Sequence, residues 1–267
     1  MRPWILAETN FWQVKQTDYQ VAVLPMGATE PHNLHLPYGT DSLEVETLGS
    51  QACQAAWQRG AKVVLLPTIP YGTETNMSRC ALAMNVNPST LGRVIADLTA
   101  SLAEHGIHKL LILNGHGGNE FKPAVRELMN QSPVQLFVCD WFRGLSSDLQ
   151  GELFDDPGDH AGAVETSLGL AFFDHLIRKE PDGSLAADDG AVRKSRFDAV
   201  NEGWVGISRP WHLLTTNTGS GDPHGASREK GERLMQVMVQ RLSEFLVQLA
   251  ESQLDDEFPF ETGTGVS

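Results

Sequence analysis

Basic residues are scarce in this 267-residue chain: 20 Lys and Arg stand against 34 Asp and Glu, leaving a formal charge of −14 with the histidines neutral. Binding nucleic acid or an anionic membrane surface needs a basic footprint, and none is visible, so neither is expected as a partner. Cysteine is scarce too. Cys53, Cys80 and Cys139 are odd in number, far apart and without a C-x-x-C pair, which argues against a disulfide framework or a cysteine metal cluster. They read as small buried residues in a reducing cytosol. Long apolar runs are missing: nothing approaches the roughly 18 residues of a membrane span, and the start, MRPWILAETNFWQV, has no signal h-region. A soluble, cytoplasmic protein is the expectation.

What is present is ordinary globular composition, 41% hydrophobic and 20% charged, with 25 Gly and 14 Pro. Four short runs stand out: Gln20 to Pro25, Ala61 to Pro67, Lys109 to Gly115 and Val134 to Asp140. Rich in Val, Ile, Leu or Phe without polar alternation, they read as strands buried on both faces of a parallel sheet. Helical patterns separate them. One spans about Ser42 to Arg59. Another comes after Asn87-Pro88, with Leu91, Val94, Ile95, Leu98 and Leu102 on one face, and stops near Gly106. A third runs from about His160 to Ile177, and a long C-terminal one carries the stripe Leu234, Val237, Met238, Leu242, Phe245 and Leu249. This alternation predicts a three-layer α/β/α sandwich around a mostly parallel sheet. Residues 1–252 are expected to form one domain and 253–267 a tail. Glu180 to Trp204, broken by Pro181, Gly183 and Gly190, reads as a surface excursion with an edge strand near Gly203 to Ile207.

In a parallel α/β sheet, ligands bind beyond the carboxyl ends of the strands, so the residues just past each apolar run matter most. The first run leads into MGATEPHNLHLPYGTD and the third into NGHGGNE. In extended chain, Glu30 and His32 project to the same side, as two ligands of one centre would. Asp41 precedes a helical pattern and reads either as an N-cap or as a carboxylate brought back by the turn at Tyr38-Gly39-Thr40, where it could bridge two metal ions. His35 reads as a structural imidazole. His116 sits among three glycines, either a tight turn or a ligand-contacting loop; the spacing matches neither a P-loop nor G-x-G-x-x-G. A third cluster, Asp155 to Ser167, contains His160 and Glu165. His160 is expected to open a helix whose dipole disfavours its imidazolium form, keeping it available as a base. Glu165, five residues on, need not share its face, and helix capping by acidic residues is the alternative.

With three His/Asp/Glu clusters and no G-x-S-x-G or reactive-looking cysteine, metal-assisted hydrolysis is the economical reading. Mixed carboxylate and imidazole ligands suit zinc, manganese or iron.

These residues resemble the creatininase family of creatinine amidohydrolases. The resemblance rests on LPMGATEPHNLHLPYGTD (Leu24 to Asp41), ILNGHGGN (Ile112 to Asn119), HAGAVETS (His160 to Ser167) and GDPHGASREKGERL (Gly221 to Leu234), in the family's order along nearly the whole chain. It implies a three-layer sandwich, often assembled as a homohexamer. It also implies one or two divalent ions held by Glu30, His32, Asp41 and His116, with Asp41 bridging, and His160 as the acid/base. The implied reaction is hydrolysis of a C–N bond in a small molecule, a cyclic amide or formamide, by metal-activated water. A ring-ketone hydrolase on the same metal, or a scaffold protein without turnover, are the alternatives. Two departures bear on the substrate. Creatinine hydrolases proper carry a Tyr and a metal-binding Glu where this chain has Gly117 and Gly118, so a second ion needs another ligand, for which Glu165 is the candidate. The stretch YGTETNMSRCALAMNVNP also lacks the family's usual histidine. Gly117 and Gly118 then line a pocket for a substrate other than creatinine, and Arg79, Lys122 and Arg143 are candidates for local positive charge.

Overall fold

The four apolar runs become one parallel sheet. The computed structural model describes residues 1–261, and in it β1 (Val21–Met26), β2 (Val63–Leu65), β3 (Lys109–Asn114) and β4 (Gln135–Asp140) lie in the order β2-β1-β3-β4. Val21 pairs with Val63, Val23 with Leu111 and Leu113 with Cys139, all in parallel register. β1 and β3, the inner pair, are buried along their whole length. Successive side chains of a strand point to opposite faces. Val21, Val23, Leu111 and Leu113 therefore pack in a core with the helices Thr40–Gln58, Ala163–Phe172 and Arg228–Glu251. Ala22, Leu24, Leu110 and Ile112 pack with Pro88–Glu104 and Lys122–Leu128 on the other face. The result is the α/β/α sandwich expected from the alternation. Each such Leu or Val contributes roughly 1.5–3 kcal/mol by leaving water.

The chain steps from β1 outward to β2, then crosses back to β3 and outward to β4. The winding reverses between β1 and β3, and loops leaving adjacent strands at such a point part to open a crevice. Met26 and Asn114 are neighbours at those carboxyl ends, so the loops after them flank the crevice. Both are the loops dense in His, Asp and Glu.

Several boundaries differ from the sequence reading. The first long helix starts at Thr40 with Gly39 at its cap, so Asp41 lies inside the first turn and is not the N-cap. Its side chain is thereby free for other work. The helix expected from His160 to Ile177 is only Ala163–Phe172, capped by Gly162, because Ala161 takes a left-handed φ of 52° that no helix accepts. His160 therefore precedes the helix and does not open it. No edge strand forms over 203–207; Gly203 has φ 81°, and Trp204 and Ile207 project into solvent. The excursion instead carries a short helical turn at Asp198–Asn201, and a second turn, Trp211–Leu214, follows it. The tail is not wholly loose: Phe258 packs edge-on against Phe137 of β4 at 6.2 Å between ring centroids. Its last residues, 262–267, lie outside the described ones. Among the described residues, no helix is long and apolar enough to cross a membrane.

Candidate metal centre

Glu30, His32, Asp41, His116, His160 and Glu165 come together at the crevice between β1 and β3, from three separate stretches of chain. Two features of the sequence make the convergence possible. Gly115 sits where a Cβ would lie 2.7 Å from the Asp41 carbonyl and 2.6 Å from Val45, so only glycine lets the β3 loop press onto the first turn of the long helix. The two asparagines of NGHGGN then lock the loop. Asn114 donates to the His116 carbonyl at 2.9 Å and accepts from the His116 backbone N–H at 3.2 Å, and Asn119 donates to Asn114 at 3.1 Å.

The three histidines share one design. His32 Nδ1 faces the Glu30 carbonyl at 3.1 Å, His160 Nε2 the Pro31 carbonyl at 3.0 Å, and His116 Nε2 the Thr73 carbonyl at 3.2 Å. A carbonyl only accepts, so each of those nitrogens carries the proton. The other nitrogen of each ring points inward. His32 Nε2 meets Asp41 Oδ1 at 3.0 Å. His116 Nδ1 meets Glu30 Oε1 at 2.9 Å and Asp41 Oδ2 at 3.1 Å. His160 Nδ1 lies 3.7 Å from Glu30 Oε1. The two oxygens of Asp41 therefore face different imidazoles.

Lone pairs on inward nitrogens and carboxylate oxygens repel one another unless a proton or a cation lies between them. The titration behaviour expresses this need. Burial would lower His32 and His116, yet both are held well above the ordinary imidazole range, by Asp41 for His32 and by Glu30 and Asp41 for His116. Burial pushes the Glu30 carboxyl up to about 8 and that of Glu165 up to about 7. Asp41 goes the other way: burial would raise it, but His32 and His116 hold it well below the usual carboxylate range. His160 falls to about 3, through burial first and the neighbouring His32 second, so it is neutral at physiological pH. The neutrality expected for it is present, but its cause is desolvation and not a helix dipole. Glu30 Oε2 and Asp41 Oδ2 are buried without a hydrogen-bond partner. Orphaned oxygens beside correctly tautomerised imidazoles are what a divalent cation with mixed N/O preference requires, so the residues present fit such an ion.

Glu30, His32 and His160 could hold one ion as a group, as could His32, Asp41 and Glu165, or Glu30, Glu74 and His116. Glu165 also accepts from the Ala161 N–H. Two buried carboxylates escaped the sequence reading. Glu44 lies one helical turn after Asp41 and has both oxygens unpartnered; the i, i+3 spacing was the available signal. Glu74 comes from the loop after β2, and nothing in its local pattern marks it. His35 is structural as expected, its Nε2 2.8 Å from Thr166 Oγ1. A further group, Asp189, Asp222 and His224, is exposed and apart from the crevice.

A cleft of about 430 Å³ opens over the centre. Gly117 and Gly118 line it with Asn76, Met77, Phe142, Arg143, Arg209 and Trp211. Trp211 stands edge-on to His160 at 4.9 Å and closes the far side. Of the three cations proposed from sequence, Arg143 lines the cleft, while Arg79 and Lys122 do not; Arg209, which does, was missed. The thiols offer no nucleophile: burial raises Cys139 to about 11 and drives Cys53 higher still.

An α/β/α sandwich with imidazoles and carboxylates gathered at the switch point of its sheet defines a protein built around a divalent metal centre. The chain belongs to the creatininase family, whose model, described as creatinine amidohydrolase, matches residues 7–246. A crystal structure from Bacteroides fragilis NCTC 9343, provisionally identified as a creatinine amidohydrolase, is similar with 32% identity, 96% of this chain and 100% of that one covered, and a TM-score of 0.87. The creatinine amidohydrolase of Pseudomonas putida is 26% identical over 243 residues, 84% of this chain and 87% of its own length. The mycofactocin precursor peptide peptidase of Mycobacterium ulcerans is 26% identical over 229 residues, 81% of this chain and 80% of its own.

Proposed function

We propose that this protein hydrolyses a C–N bond of a small molecule, a cyclic amide or formamide-type substrate other than creatinine, at a centre of two divalent ions. The observation that carries the reading is Asp41, whose two oxygens face His32 and His116 separately. Glu30, Asp41 and His116 would hold one ion, and His32, Asp41 and Glu165 the other, with Glu165 standing in for the glutamate absent at Gly118. Zinc, manganese and iron all suit this donor set. When bound, such ions activate water as a nucleophile and polarise the carbonyl it attacks.

The protein's own residues do the rest. Glu30 and Asp41 concentrate negative charge that ions must neutralise, and the carbonyl-anchored tautomers keep each imidazole in register without reorganisation. His160 is neutral, with Nδ1 inward and Nε2–H held by the Pro31 carbonyl. It accepts the proton of the attacking water and returns it to the departing nitrogen. Gly117 presents no side chain to the cleft and a Cβ there would meet nothing within 4 Å, so a substrate can approach the main chain closely. Phe142 and Trp211 supply apolar walls, and Trp211 shields His160. The similarity to amidohydrolase and peptidase relatives supports C–N chemistry, and the glycines at 117 and 118 support a substrate unlike creatinine.

Residues 1–252 act as one hydrolase domain, with 253–267 as an appendage. The cytoplasmic location and the homohexamer expected from the sequence belong to the same proposal. The test is turnover of a panel of lactams, formamides, short peptides and cyclic ketones by metal-loaded protein and by His160→Ala. Cleavage of a C–N substrate by wild type, lost in His160→Ala with metal content intact, is expected. Turnover of cyclic ketones alone, or full activity in His160→Ala, would contradict it.

A further inference from the structure

Two buried carboxylates, Glu44 and Glu74, are left without work by the proposed chemistry, and Glu74 is the one in contact with a proposed metal ligand. Glu74 is fully buried, its Oε1 lies in close contact with His116 Nε2, and neither of its oxygens has a hydrogen-bond partner. Leaving an ionisable group in such a place costs stability unless it serves a cation or a donor. Its backbone is held from both sides: the Glu74 N–H donates to Asn85 Oδ1 at 2.8 Å and the Thr73 N–H to Asn119 Oδ1 at 3.0 Å. The Asn119 contact links this loop to the His116 loop. Gly118 completes the fit, because a Cβ there would overlap both the Thr73 carbonyl and His116 Nε2. The Thr73–Glu74 segment thus occupies the space that a side chain at 118 would need.

We propose that Glu74 is the positioning residue of the metal centre: its carboxylate lies against His116 Nε2, whose proton goes to the Thr73 carbonyl, and holds the ring so that Nδ1 points at Glu30 and Asp41. The inference rests on the metal-centre reading above. The nitrogens of one imidazole point away from each other, and Nδ1 is already turned toward Glu30 at 2.9 Å and Asp41 at 3.1 Å. Glu74 touches the ring at Nε2 and is also near enough to Glu30 and His116 to share a cation with them, so the number of ions at saturation separates positioning from direct ligation. A carboxylate behind a ligating histidine fixes the tautomer and ring angle and raises the basicity of the front nitrogen, and losing such a partner lowers metal affinity about 10–100-fold. The Thr73 carbonyl alone supplies an acceptor without charge.

Zinc affinity and ions per chain are measured for wild type, Glu74→Ala and Glu74→Gln of the full chain, by chelator competition and elemental analysis, with the His116 tautomer followed by nitrogen NMR. Glu74→Ala is expected to bind zinc about 10–100-fold more weakly with the same number of ions at saturation, and its His116 nitrogen resonances to shift while the Nε2–H stays on the Thr73 carbonyl. Glu74→Gln, isosteric but uncharged, is expected to fall between, and it carries the test if the alanine variant does not fold. Unchanged affinity in both variants overturns the proposal. So does loss of one ion per chain at saturation, which would make Glu74 a direct ligand. Wild type that binds no zinc, manganese or iron would refute the metal-centre reading itself, whereas failure confined to the Glu74 variants would not.

Discussion

The loops after β1 and β3 and the surface stretch 180–214, the excursion together with the residues that follow it, both face the crevice, but they are built differently. The first two are buried, clamped by Asn114 and Asn119, and drawn together by a glycine that no other residue replaces. The surface stretch is largely exposed and irregular, and reaches the cleft through Arg209 and Trp211 alone. Rigid, desolvated backbone suits groups that must hold ions in fixed geometry, and a surface segment suits groups that select what enters. The difference teaches that reaction type and substrate choice reside in separate parts of the chain.

Substitutions in the deep loops should therefore abolish chemistry, and those in the surface stretch should tune binding. The largest effect belongs to Asp41→Ala, expected to lose both ions and turnover to a degree well beyond the about 100-fold that loss of an outer partner costs, as read by elemental analysis and initial rates. Next comes His160→Ala, expected to lower kcat by about 10²–10⁴ while retaining its metal. Trp211→Ala, on the surface stretch, should raise KM about tenfold, close to 1.4 kcal/mol of binding, with kcat nearly unchanged. A large fall in kcat for this variant would break the division between the two regions. Arg209 bonds the exposed Asp159 at 2.9 Å, and an exposed pair of this kind contributes only about 0–1 kcal/mol. Arg209→Ala should leave Tm unchanged and affect only substrates that carry negative charge.

The deep region also sets a pH dependence. Burial holds the Glu30 and Glu165 carboxyls at about 8 and about 7, against about 4.3 in an unfolded chain. Between those values the folded metal-free protein keeps protons that the unfolded chain has released, so its stability falls as pH rises from about 5 to 8. The raised His32 and His116 add the same sign, with stability present below their unfolded value and lost as pH rises through the folded one. His160 and His35, lowered to about 3 and about 4, act oppositely at more acidic pH. Ions replace the bound protons, so the Tm difference between zinc-loaded and EDTA-treated protein should widen from pH 6 to pH 8; narrowing would contradict a metal centre at these groups.

Much of this was legible because it is local. Continuous apolar runs announced the buried strands, and Asn87-Pro88 and Gly106 bracketed a helix that spans Pro88–Glu104. Glu30, His32, Asp41, His116, His160 and Glu165 were readable as metal-capable groups placed after separate elements. What escaped depends on folding: Glu74 acquires meaning only when the loop after β2 packs against Gly118, and Trp211 only when the surface stretch returns over His160. The start of the helix after His160 was misplaced because the left-handed Ala161 leaves no mark in the sequence. The edge strand near Gly203 was a pattern of apolar residues whose side chains are exposed instead of packed.

The most direct measurement is elemental analysis of metal per chain, on protein purified without chelator, for wild type, Glu165→Ala and Asp41→Ala. A centre bridged by Asp41 requires two ions in wild type, one in Glu165→Ala and none in Asp41→Ala. A folded wild-type chain that carries no metal and takes up none from added zinc, manganese or iron would contradict it.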